Sequence, residues 1–312
     1  MRRMRLVFLG TPAFAVPTLE RVVEAGHEVL AVVTQPDRPR GRGQAPAPPP
    51  VKQAALGLGL PVYQPERVRR PEAVEFLRGL SADCMVVVGY GQIIPQSVID
   101  LVPLGIINVH GSLLPRYRGA GPIQWAILNG ETRTGVTTMR IDAGLDTGAM
   151  LLRAETEIGA DENSIELGGR LAMMGARLLV ETLAGLSAGT IVPEKQDAAQ
   201  ATWAPLLKKQ DGLIDWTRDA SAIHNQVRGL QPWPGSYTTF RGQSLHVWKS
   251  RLACATPPSG PGTTHRMARA LVVACGNGAL ELLQVQMEGR KRLPAVDFAN
   301  GQRLAENEVL GG

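Results

Sequence analysis

The chain has 312 residues, 44% hydrophobic and 20% charged, an ordinary globular composition that excludes a disordered or fibrous protein. Net charge is +5, and three scattered cysteines and five histidines without HxH or HxxxH spacing argue against a resident metal. No stretch reads as the roughly 18 apolar residues of a membrane span, and the basic-then-apolar start breaks at Gly10-Thr11-Pro12, too early for a secretory signal. The expectation is a soluble, cytoplasmic protein with no membrane partner.

In chain order, RLVFLG (5–10) predicts a strand and FAVPTLERVVEAG (14–26) a helix ending at Gly26. EVLAVVTQ (28–35), ADCMVVVGYG (82–91) and LGIINVH (104–110) predict further strands, with helices at VKQAALGLG and PEAVEFLRGL between them. Continuous Val/Ile/Leu runs separated by helices imply a parallel sheet covered on both faces. This is a doubly wound, mostly parallel, Rossmann-like α/β fold. TGVTTMRID (134–142) and GAMLLRAETEI (148–158) alternate and suggest an added antiparallel pair; residues 162–186 predict a long closing helix. The proline- and glycine-rich stretch QPDRPRGRGQAPAPPPV (35–51) reads as a long loop without helix or sheet over most of its length.

A catalytic domain is expected over 1–189, a linker over 190–207 and a second domain over 208–312. After one helical stretch at 219–230, that second domain shows short alternating runs (SYTTFR, QSLHVWKSRLA, RALVVACGN, ALELLQVQ) that suit a small OB-like β-barrel. Residues 1–189 hold 19 Lys and Arg against 18 Asp and Glu, whereas residues 203–303 hold 13 against 6. A basic second half points to a polyanionic partner, nucleic acid above all.

The fold invites a dinucleotide, but GTPAFA and GYGQII do not supply G-x-G-x-x-G, and Thr34-Gln35 closes the second strand without an acidic residue. Ser112 lies in GSLL, not in a nucleophile elbow. What remains is Asn108 and His110. Two apart on a strand, they share one face. Gly111 and Pro115 end the strand there, at the carboxyl edge where open α/β sheets bind ligands. An amide and an imidazole side by side are two donors for a developing oxyanion. A carboxylate would orient the histidine, and RIDAGLDTGAM offers Asp142 and Asp146; the glycines flanking Asp146 favour it modestly.

NVHGSLLPRYRGAGPIQWAI followed by GVTTMRIDAGLDTG resembles the signature of the folate-dependent formyltransferases. FLGTPAFAVPTL, TQPDRPRGRG, VVVGYGQIIP, IDW (214–216) and LQPWPGSY (230–237) resemble the branch that acts on tRNA. The resemblance implies that Asn108, His110 and Asp146 are catalytic. It implies that 10-formyltetrahydrofolate lies along Ser112, Leu113, Leu114 and Pro115, its pterin near Val88, Gly89, Tyr90, Gly91, Gln92 and Asp142. It implies initiator methionyl-tRNA as acceptor, met by Arg38, Arg40 and Arg42 and, on the linker side, by Lys208 and Lys209. One departure stands out: after GRG the loop reads QAPAPPP, where related enzymes often carry lysines.

Overall fold

The structure is a computed structural model that describes residues 3–40, 45–267 and 269–311. The apolar runs of the first half form β1 (Arg5–Gly10), β2 (Glu28–Val33), β5 (Val62–Tyr63), β6 (Cys84–Val88) and β7 (Ile106–His110). Ladders β1–β2, β1–β6, β2–β5 and β6–β7 are all parallel. Helices α1 (Val16–Glu24), α2 (Pro50–Gly57), α3 (Pro71–Gly79) and α4 (Gln96–Ile99) lie between them in sequence. All five residues of β6 and of β7 are buried, as covered faces require.

The loop over 35–51 departs from expectation. β3 (Arg38–Arg40) and β4 (Ala45–Ala47) pair antiparallel, Arg38 opposite Ala47. A two-stranded ribbon can keep prolines whose missing N–H faces away from the partner strand. α2 then begins at Pro50, a position proline favours.

After β8 (Arg118–Gly119) and α5 (Pro122–Leu128), β9 (Arg133–Arg140) pairs antiparallel with β7, and β10 (Met150–Glu157) lies outside β9. The seven-stranded order is β10-β9-β7-β6-β1-β2-β5. α6 (Ser164–Ala188) is long and apolar enough to cross a membrane by length and composition alone, which the sequence reading had not found. It packs on the sheet instead: Leu171, Leu179 and Leu183 are buried, and Thr182 Oγ1 lies 2.8 Å from Thr138 Oγ1 of β9. A Cβ on Gly175 of α6 would stand 2.6 Å from Val109 Cγ1, so glycine sets the approach of helix to sheet.

The chain divides into two compact units, one of Met1–Gly119, Thr134–Thr156 and Gly168–Trp203, the other of Ala120–Arg133, Glu157–Leu167 and Ala204–Gly312. β11 (Trp203–Ala204) falls where the chain passes from the first to the second, which continues with a 3-10 turn (Lys209–Gly212) and α7 (Ala220–Gly229). An antiparallel sheet follows: β12 (Ser236–Phe240), β13 (Gln243–Leu252), β14 (Thr264–Met267), β15 (Ala270–Ala274) and β16 (Ala279–Met287), in the order β12-β13-β16-β15-β14. β17 (Leu293–Pro294) pairs with β16, and α8 (Ala295–Gly301) follows. Ile223, Val227, Phe240, Leu245, Leu282 and Phe298 belong to its core. Counted by unit, the charge asymmetry disappears: 19 Lys and Arg against 15 Asp and Glu in the first, 14 against 13 in the second. Segments 120–133 and 157–167 bring acids into the second unit that a linear count assigns elsewhere.

Gly175→Ala is expected to lower the melting temperature. Overpacking costs about 1–3 kcal/mol, more than the ~1 kcal/mol of helix propensity gained. Thermal unfolding of the variant checks this; an unchanged midpoint would mean that the helix shifts freely.

Burial holds His27, His224 and His246 below the ordinary histidine value of 6.5. A depressed histidine pKa favours the neutral form in the folded state, so stability is fully present above 6.5 and declines as the unfolded chain takes up protons below it. The carboxylates held low, Asp37, Asp197, Asp215 and Glu308, act only below their own ordinary values of 3.8 to 4.5. Melting temperatures measured between pH 7.5 and 5.5 are therefore expected to fall, and to fall less in His224→Gln.

Candidate active site

Alternation along β7 sorts its side chains. Val109 faces α6, while Ile106, Asn108 and His110 take the opposite face. Ile106 is in the core with Leu9, Met85 and Val87. Beyond it the ladder turns polar, with Asn108 opposite Val87 and Met139, and His110 opposite Thr137. Both are buried, and among the described residues the Asn108 amide has no hydrogen-bond partner. It is a donor left unspent.

His110 is different. Its Nε2 lies 2.7 Å from the Tyr117 carbonyl. A carbonyl only accepts, so Nε2 carries the hydrogen and Nδ1 turns toward Asp146, 3.8 Å from Oδ1. The expectation of two free donors at one point is corrected here: Asn108 offers one, and the imidazole N–H is engaged. The same Tyr117 carbonyl accepts from Ser112 Oγ (2.9 Å), which in turn accepts the Tyr117 N–H (2.9 Å). Thr137 closes the turn, donating to Ser112 O (2.7 Å) and accepting the Leu114 N–H (3.1 Å).

Of the two carboxylates left open, Asp146 is the one beside His110. Asp142 is exposed and ties its own loop, accepting from Gly144 N–H (3.0 Å) and Thr147 Oγ1 (2.6 Å). Asp146 has φ of 52°, in the left-handed region, and its Oδ2 accepts the Gly119 N–H at 2.9 Å. Gly148 is required where it stands, because a Cβ there would strike the Arg140 carbonyl. Gln196 reaches this loop too, with Arg118 hydrogen-bonded behind it, and neither was expected at the site from the sequence. Arg118 stood inside the quoted motif; Gln196, in an aperiodic segment, gave no signal.

Residues 4–183 match the formyl transferase family and residues 206–303 its C-terminal domain. The methionyl-tRNA formyltransferase of Solibacter usitatus is 76% identical over 308 residues, 99% of each chain. The chain belongs to the methionyl-tRNA formyltransferase family. Its fold recurs at low identity. HypX from Aquifex aeolicus, in complex with tetrahydrofolic acid, has a TM-score of 0.67 at 16% identity over 98% of this chain. The chain spans about half of that longer protein, 49% of its length. The N-formyltransferase from Helicobacter canadensis, in complex with folinic acid and dTDP-3-aminofucose, has a TM-score of 0.65 at 18% identity, covering 91% of this chain and 99% of the other.

The family's remaining expected positions fall out unevenly. Val88 and Tyr90 are buried, and burial pushes the Tyr90 hydroxyl up to about 12. The Tyr90 carbonyl accepts from Thr11 Oγ1 (2.9 Å) and Gln35 Nε2 (3.1 Å), leaving Gly89 and Gly91 as the exposed backbone there. Gln92 is turned to the 66–68 segment, accepting Val68 N–H at 2.8 Å. Leu114 packs with Met139 and Met150, while Leu113 and Pro115 are half-buried. Arg38 is exposed and 3.5 Å from Glu66; Arg40 ends β3, and Arg42 lies outside the described residues. Lys208 and Lys209 are exposed at the 3-10 turn. Among the described residues no group of three or more His, Cys, Asp or Glu is placed to hold a metal.

Asn108→Ala and His110→Ala are each expected to lower kcat by about 10²-fold or more, as loss of one oxyanion donor does elsewhere, with the fold retained. Steady-state kinetics on folded variants decide this, and a near-wild-type kcat removes that residue from the chemistry.

Proposed function

We propose that the chain transfers the formyl group of 10-formyltetrahydrofolate to the α-amino group of methionine on initiator methionyl-tRNA, with Asn108, His110 and Asp146 as its catalytic residues. The observation that carries the site assignment is the unspent Asn108 amide, beside a histidine held between the Tyr117 carbonyl and Asp146. The nucleophile needs little help, since α-amines titrate near about 7.7–8.0 and a useful fraction is neutral. The formyl carbonyl, amide-like and weakly electrophilic, is the harder partner. Asn108 donates to its oxygen as charge develops there. His110 joins by redirecting Nε2–H from Tyr117 O; the proton that the amine gives up goes to Nδ1, the ring nitrogen without a hydrogen, and Asp146 beside it supports the resulting imidazolium. The new C–N bond forms as the bond from the formyl carbon to folate N10 breaks, and N10 takes the proton.

In this reading the donor meets the backbone of Gly89–Gly91 and of Ser112–Pro115, since Tyr90 and Leu114 are enclosed; Val88 ends β6 ahead of the first stretch, Gln92 ties it to residues 66–68, and Asp142 braces the neighbouring 142–147 loop. Catalysis belongs to residues 1–189, with 190–207 leading to a tRNA-binding domain over 208–312. An OB-like barrel is supported by the chain's end: Glu308 O accepts Thr264 N–H beside β14, and Gly311 N–H donates to Thr239 O of β12. That segment lies between the two edge strands. Arg38, Arg40, Arg42, Lys208 and Lys209 bind the tRNA in this reading, and the reaction is cytoplasmic, where aminoacyl-tRNA is made.

Formyl transfer from 10-formyltetrahydrofolate is expected with charged initiator tRNA, and not with an amino-sugar nucleotide or, as formate release, with water; either of the latter in preference would replace this acceptor. tRNA affinity is expected to fall with salt by about 0.7–0.9 log units per decade for each phosphate neutralised. Lys208→Ala/Lys209→Ala should flatten that slope while leaving single-turnover chemistry intact, and an unchanged slope removes both lysines from the interface.

A further inference from the structure

Two enclosed polar side chains stand behind the Asp146 loop. Arg118 is 6% exposed and Gln196 is 5% exposed. Arg118 Nε donates to Gln196 Oε1 at 3.0 Å. Gln196 Nε2 donates to the carbonyls of Asp146 and Gly148, each at 2.8 Å. Gln196 reaches the loop because its segment is fixed two residues earlier, where Glu194 and Met150 exchange backbone hydrogen bonds, both 2.8 Å.

We infer that Arg118, acting through Gln196, is a positioning residue for formyl transfer: it fixes the amide orientation that holds Asp146 beside His110. The inference rests on the role given to Asp146 above.

The chemistry of the donors leaves Gln196 one orientation. A guanidinium only donates and a carbonyl only accepts. Turning the amide over would set its NH₂ against Arg118 and its oxygen against two carbonyls, so every contact would become repulsive. Arg118 thus selects the orientation in which both amide hydrogens clamp the loop. That clamp has something to hold. Asp146 is a non-glycine residue at φ of 52°, a conformation that persists only where the surroundings over-determine it. Arg118 is also centred on the strip that governs the pair: Tyr117 before it receives His110 Nε2, and Gly119 after it donates to Asp146 Oδ2. Among the described residues no carboxylate pairs with Arg118. A buried, unpaired guanidinium is costly to keep, which is explicable if its position serves the site.

The test uses the full chain, with kcat and KM for both substrates and single-turnover rates. Gln196→Glu keeps shape and the acceptor toward Arg118 but sets a second oxygen against two carbonyls. It is expected to lower kcat by about tenfold to a hundredfold, as small misplacements of catalytic groups do, with KM for the formyl donor little changed. Arg118→Met should match it, and Arg118→Lys, which still donates, should recover part of the loss. In the Asp146→Asn background Gln196→Glu should cost nothing further, which a general structural role would not predict. Should Gln196→Glu fail to fold, Arg118→Met in the same two backgrounds reads the same coupling. A folded Gln196→Glu with wild-type kcat, while Asp146→Asn is impaired, overturns this inference alone. Equal losses with and without Asp146 overturn it too. An Asp146→Asn enzyme with wild-type kcat overturns the role of Asp146 and this inference with it.

Discussion

The Tyr117 carbonyl accepts from the His110 ring and from the Ser112 hydroxyl, and the candidate site is arranged around that shared acceptor. Because a carbonyl cannot donate, it fixes the tautomer of His110 and turns Nδ1 toward Asp146. Because Ser112 both gives to Tyr117 and takes from it, residues 112–117 close into a compact turn at the end of β7. Thr137, on the neighbouring strand, secures the other side of that turn. One backbone group thereby links the strand that carries Asn108 and His110 to the strip that carries Arg118 and Gly119.

The site divides its donors by availability. Asn108 is committed to nothing, so in the proposed reaction it gives up no existing hydrogen bond when it meets the formyl oxygen. His110 is committed to the Tyr117 carbonyl and, in the proposed reaction, exchanges that acceptor for another. An enzyme with its donor already in place and its proton-carrying group restrained is suited to a reaction with a self-activating amine and a reluctant carbonyl. The packing beside it is ordinary: α6 covers the Val109 face of β7 closely, at Gly175, and Asn108 and His110 take the opposite face.

Much of this was legible in the amino-acid sequence. Apolar runs such as CMVVV and the Ile106-Ile107 start of IINVH specify covered parallel strands, since only a sheet buried on both faces tolerates them. Spacing of two along β7 was enough to put Asn108 and His110 on one face, and strand-breaking Gly111 put them at its end. Asp146 between two glycines was legible as a loop residue. The hairpin over Arg38–Arg40 and Ala45–Ala47 was not, because proline content argues against sheet in general and says nothing about a two-stranded ribbon.

Contacts between residues distant in sequence had no local signature. Gln196 sits 50 positions beyond Asp146 in a segment without periodicity, and only its packed position makes it a partner of the Asp146 loop. The commitment of His110 to Tyr117 is seven residues long but depends on the turn between them. Net charge behaved likewise: the linear split between halves vanished once 120–133 and 157–167 were counted with the unit they pack in. Periodicity and residue type determined the main parallel strands, the face shared by Asn108 and His110, and the family, because these follow from local geometry and side-chain chemistry. Hydrogen-bond direction, tautomer and burial of charge awaited the folded chain, because each depends on which distant group fills the remaining space.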